Sequence, residues 1–160
     1  MNRYNRPRSV RTRRGFTLLE LLLAMTIAGI VLAVALPVYK GITTQSESSS
    51  ALNDIMKIDA AIQQYHMLNG EWPPTLPDAI NPVPKDSWGR DYVYLRLDPP
   101  SKGSKGKARK DHNLVPINSD YDLYSLGEDG KSASPLTSKL SHDDIVRANN
   151  GAFFGLGKDY

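Results

Sequence analysis

The sequence predicts an α+β chain: one long N-terminal helix, changing character half-way along, packed against a small sheet. Three observations predict it. A 21-residue apolar block lies near the N-terminus, an amphipathic stripe follows downstream, and two short alternating segments occupy the second half.

The residues ahead of the block form a leader of their own. Residues 1–15 hold Arg3, Arg6, Arg8, Arg11, Arg13 and Arg14 and no acid. Taking these six from the 20 basic residues leaves 14 against 17 acidic ones, so a net charge of +3 becomes −3 from Phe16 onward. The basic balance belongs to the leader, which argues against nucleic acid as a partner of the rest. There is no cysteine, which excludes disulfides, thiolate metal sites and a cysteine nucleophile. The length leaves room for one modest core.

The block itself, Phe16 to Leu36, carries a single charge, Glu20. As a helix it extends roughly 31 Å, the thickness of a bilayer's hydrocarbon core. Six arginines before it and only Lys40 shortly after it orient the N-terminus to the cytoplasm and the remainder outside. A removable secretory signal has an apolar region of about 7–15 residues, shorter than this one. A cut after Gly15 would instead remove the leader and keep the helix. Glu20 points the same way. A carboxylate within a membrane helix costs roughly 2.5–3.5 kcal/mol on insertion scales and persists when it has a partner. A new amine on Phe16, four residues away, is such a partner, within the chain or in a stacked neighbour.

Pro37 and Gly41 weaken the helix where it leaves the membrane, and Gln45–Ser50 is polar and poor in helix propensity. Leu52, Ile55, Ile58, Ile62 and Tyr65 then recur at steps of three or four, one apolar face of a helix suited to core packing. Asn69-Gly70 ends it, and Trp72-Pro73-Pro74 opens an extended loop. After a turn at Trp88-Gly89, Tyr92–Leu97 alternates Val93, Leu95 and Leu97 against Tyr92, Tyr94 and Arg96, a strand with one buried face. Tyr121–Leu126 is the second strand. The basic loop 98–119 between them includes Ser101–Lys110, with five basic residues in ten. Its Gly, Ser and Lys content predicts a mobile, solvated loop, with contact to an acidic partner, anionic lipid or DNA phosphate as the alternative. His66, His112 and His142 share no metal-binding spacing, and no nucleophile or phosphate-loop motif is present. The expectation is a protein that is not an enzyme.

Arg13-Arg14-Gly15-Phe16-Thr17-Leu18-Leu19-Glu20-Leu21-Leu22 resembles the processing site of type IV prepilins and type II secretion pseudopilins. The resemblance implies that a prepilin peptidase cuts after Gly15 and methylates the amine of Phe16. It further implies that Glu20 guides subunit docking and that Pro37 holds the family's helix-kinking position. Ala51–Leu76 and Pro84–Leu97, with Lys85-Asp86-Ser87-Trp88-Gly89-Arg90-Asp91-Tyr92, are similar to the major pseudopilins of type II secretion. So is Tyr121-Asp122-Leu123-Tyr124-Ser125-Leu126-Gly127-Glu128-Asp129-Gly130. That branch implies a pilin-like fold with a short three-stranded antiparallel sheet and a long C-terminal loop that binds calcium.

The implied organisation is a cleaved leader over 1–15, a transmembrane and polymer-core helix over 16–36 and a helical stalk over 37–68. A periplasmic domain follows over 69–160, its calcium loop at 126–145. The implied function is a structural subunit of a pseudopilus, anchored in the inner membrane, polymerising with itself and with other pseudopilins on an inner-membrane secretion platform. A type IV pilus subunit is the alternative, and a tethered periplasmic binding domain a third. For calcium, Asp129 sits between glycines that can turn carbonyls inward, and Asp143-Asp144 can return charge from further on. The resemblance assigns Leu126 (through its carbonyl), Asp129 and Asp144 as ligands, with Asp143 and Ser132 as additions. A metal would staple a small domain that has no disulfide.

Overall fold

The computed structural model describes residues 15–99 and 104–160. Residues 1–14 of the leader, and residues 100–103 of the basic loop, lie outside the described residues. The chain divides into two units at Lys40 and Gly41, and each is described by itself.

The helix α1, Leu18–Asn69, runs for 52 residues with Pro37 inside it. Neither Pro37 nor the polar stretch Gln45–Ser50 ends it, because a proline removes one backbone donor and not a whole turn's bonds. In the first unit every α1 side chain is exposed, including Leu18, Leu19, Ile30 and Leu36. A helix apolar all round and uncovered is a surface made for lipid or for other helices.

In the second unit Ala51, Ile55, Ile58 and Ile62 of α1 are fully buried. They pack with Leu76, Tyr92, Tyr121, Leu123 and Ile145. Leu52 and Tyr65, placed on the same stripe by their spacing, are half-buried at its margins. The helix ends as the sequence predicts. Gly70, at φ +76°, donates its N–H to the His66 carbonyl at 2.8 Å, a left-handed cap that glycine adopts without a Cβ clash.

The sheet is an antiparallel meander of four strands: β1 (Val93–Arg96), β2 (Tyr121–Ser125), β3 (Ile145–Ala148) and β4 (Phe153–Leu156). Val93 pairs with Tyr124, Ser125 with Ile145 and Ala148 with Phe153. The resemblance implied three strands, and β4 is the addition. β3 shows no alternation because both sheet faces are covered. Ile145 belongs to the helix-facing core, while its neighbour Val146 packs with Ile117, Leu136 and Ala148 on the opposite side.

One expectation is completed and another corrected. The alternation left open which side of Tyr92–Leu97 faces the helix, and it is the tyrosine side: Tyr92 is buried in the core, and Tyr94 packs on it. Tyrosine brings more apolar area than valine, provided its hydroxyl finds an acceptor. Tyr94 donates to the Pro73 carbonyl at 2.8 Å. The basic loop, secondly, is not wholly solvated. A short helix α2 (Ser104–Lys107) leads into Ala108 and Arg109, each only 2% exposed. An average over ten residues conceals three that are buried, Ser104 among them.

Candidate functional site

At the N-terminal end, Thr17 Oγ1 accepts the backbone N–H of Glu20 at 3.2 Å. Thr17 therefore caps α1, and Glu20 stands three residues into the helix, where the exposed N–H groups favour a carboxylate. The Thr-x-x-Glu spacing is a recognisable capping signature that the sequence reading of Glu20 did not use. Gly15 has no heavy atom within 4 Å of a notional Cβ, and Phe16 is 81% exposed. Pro37 is exposed within the helix.

The second candidate region is the loop from Leu126 to Asp144, between β2 and β3. Its two ends meet at Gly127, where φ is +65° and a Cβ would lie 2.2 Å from the Asp143 carbonyl oxygen. Only glycine fits there. Asp86 supports this end from outside. It accepts the Arg90 N–H at 2.7 Å and the Ser125 hydroxyl at 2.7 Å, and Arg90 Nη2 donates to the Gly127 carbonyl.

The expected calcium ligands come together only in part. Asp129 is exposed, and its Oδ1 accepts the Lys131 N–H at 2.7 Å. Asp143 Oδ2 accepts the Asp129 N–H at 2.8 Å. Leu126 is half-buried. Asp144 is fully buried, and its Oδ2 accepts the Ser132 hydroxyl at 2.6 Å and Arg109 Nη2 at 2.6 Å. Arg109 Nη1 also donates to Ser132 Oγ and, at 2.8 Å, to the Ala133 carbonyl. Burial pushes the Asp144 carboxyl up, and the bond from Ser132 and the charge of Arg109 pull it back down.

This donor set does not fit calcium as arranged. Calcium takes six to eight oxygens. Among the described residues no group of three or more His, Cys, Asp or Glu can hold a metal ion. Asp144 Oδ1 is without a hydrogen-bond partner among them, but a single such oxygen is not a shell. A dication about 4 Å from the Arg109 guanidinium would meet repulsion of roughly 8 kcal/mol at an effective dielectric near 20. The sequence reading missed Arg109 because it was one basic residue among five.

It also missed Arg147, a fully buried cation that meets Asp59 and Asp120. His66 is half-buried and stacked on Trp72 with ring centroids 3.8 Å apart.

A capped, uncovered apolar helix that continues into an α+β domain defines a pilin-like, membrane-anchored class of subunit. The prokaryotic N-terminal methylation motif matches residues 10–36. The chain is 32% identical to type II secretion system core protein G of Pseudomonas aeruginosa over 142 residues, 76% of this chain and 87% of that one. It is 28% identical to the protein of the same name in Vibrio cholerae over 150 residues, 81% of this chain and 90% of that one. A fimbrial protein of Neisseria meningitidis is 39% identical, but over 61 residues, 38% of this chain and 36% of that one. No solved structure matches the chain. The chain belongs to the type II secretion system core protein G family, the major pseudopilins.

Proposed function

We propose that the chain is a structural, non-catalytic subunit of the pseudopilus that serves type II protein secretion. The observation that carries this reading is the extent of the likeness. Relatives named core protein G align over about three-quarters or more of the chain, whereas the fimbrial relative aligns over 38%. The type IV pilus reading rests on that shorter match and on a leader common to both systems.

In this reading a prepilin peptidase removes residues 1–15 and methylates Phe16. The helix from Phe16 to Leu36 anchors the subunit in the inner membrane, with the N-terminus cytoplasmic. Residues 37–68 form a stalk, and the domain that follows stands in the periplasm. Assembly withdraws the exposed apolar helix from lipid and packs it against helices of identical subunits and other pseudopilins. The inner-membrane secretion platform drives that step, and Glu20 meets the Phe16 amine of a neighbour. Deleting the gene tests the reading: exported proteins should accumulate in the periplasm while surface fibres remain. Lost fibres with intact secretion would return the pilus alternative.

A further inference from the structure

We infer that Arg109 replaces a bound divalent cation as the charge that fixes the C-terminal loop, so that this domain folds without calcium. The guanidinium sits where oxygens from three positions of the loop converge. It reaches Asp144 Oδ2, Ser132 Oγ and the Ala133 carbonyl, with a side chain only 2% exposed. Its plane lies over Tyr124, 4.4 Å from the ring centroid, an added attraction for a desolvated cation.

The backbone of Arg109 is held as firmly as its side chain. Its N–H donates to Asp122 Oδ2 at 2.7 Å, and its carbonyl accepts the Ile117 N–H at 3.0 Å. Asp122 is itself buried and takes a second bond from Asn118 at 2.8 Å. One residue on, Lys110 donates to the Ser134 carbonyl at 3.0 Å and accepts from the Leu136 N–H at 2.9 Å. The basic connection between β1 and β2 thus binds β2 on one side and the loop on the other. Arginine suits the place because its planar fork serves several oxygens at once and stays charged when buried. A guanidinium and a dication are alternative answers to one problem, loop oxygens that need a positive centre. Here the chain supplies its own.

The test uses the full-length chain in detergent micelles and reads its melting temperature by tryptophan fluorescence. Wild type is melted in chelator, in magnesium and in calcium at about 10 mM, above the 10⁻⁴–10⁻³ M range of extracellular calcium modules. The three melting temperatures should coincide. Arg109→Met and Asp144→Asn should each lower the melting temperature by roughly 10 °C, since each strands a buried partner. The double variant should recover a large part of the summed loss. A wild-type melting temperature raised by calcium over both chelator and magnesium would overturn the inference, as would losses that simply add. Should neither single variant fold, the wild-type comparison decides alone. These readouts concern the folded domain, so they fail or succeed independently of the secretion assignment, which gene deletion tests.

Discussion

Arg147 Nε donates to Asp59 Oδ1 at 2.5 Å, joining strand β3 to helix α1 across 88 positions of sequence. The same guanidinium grips Asp120 with two nitrogens, at 2.6 and 2.9 Å. It lies 4.0 Å from the centroid of the Tyr121 ring, and the Tyr121 hydroxyl donates to Asp59 at 2.5 Å. One buried cation thus answers two carboxylates from different elements and fixes how the sheet meets the helix.

Arg147→Met should therefore destabilise the domain by roughly 3–5 kcal/mol, because two acids lose their partner at once. Arg147→Lys should recover little, since one ammonium cannot span both carboxylates with a fork's geometry. Chemical denaturation of the detergent-solubilised chain measures both. A methionine variant as stable as wild type would mean the network contributes no net stability.

The sequence carried the helix and half the sheet, and the reasons differ by element. Ile55, Ile58 and Ile62 repeat with the helical period, and a period is visible without knowing what it packs on. β2 was legible from its aromatic and aliphatic run. β3 was not, because a strand buried on both faces loses its alternation, and Ile145–Ala148 is only four residues long. β4 is as short and is interrupted by Gly155. In the C-terminal loop the acids were legible but their partner was not. Nothing local tells Arg109 from the lysines beside it. Its burial follows from contact with Asp144, 35 positions away.

The tyrosines predict an alkaline limit. Burial raises the phenols of Tyr92, Tyr94, Tyr121 and Tyr124 above the ordinary value of 10.0, and at Tyr121 the bond to Asp59 adds to it. A phenol kept neutral by the fold contributes stability fully below its unfolded pKa. That contribution is lost as pH rises through the folded value. These four should ionise only as the fold is lost, so their phenolate absorbance should rise together with the collapse of near-ultraviolet circular dichroism. Ionisation of every tyrosine in a chain whose dichroism is intact would contradict their burial.

The proposed processing after Gly15 predicts a mature chain that begins at Phe16 with a methylated amine. Intact mass of membrane-extracted protein, from cells with and without the peptidase, decides this. Retention of residues 1–15, or a start near Pro37, would remove the basis for the proposed assembly.

Glu20 yields the sharpest separation of roles. Its backbone N–H, not its carboxylate, makes the bond to Thr17, so Glu20→Ala leaves that cap in place. Losing a favourable charge from the first turn costs well under the cap itself, typically 0.3–1 kcal/mol where exposed. Removing a carboxylate from an apolar helix also favours insertion, by less than the roughly 2.5–3.5 kcal/mol of a helix-centre charge because Glu20 lies in the first turn. The variant should therefore enter the membrane at least as well as wild type and reach the same abundance. Assembly should suffer, because a subunit docking in lipid would leave the neighbour's Phe16 amine without its counter-charge. Crosslinking in intact membranes should show monomer where wild type gives a ladder, while Glu20→Asp retains part of it. A full ladder from Glu20→Ala would leave the helix's apolar packing as the sole source of docking and discard the charge pair.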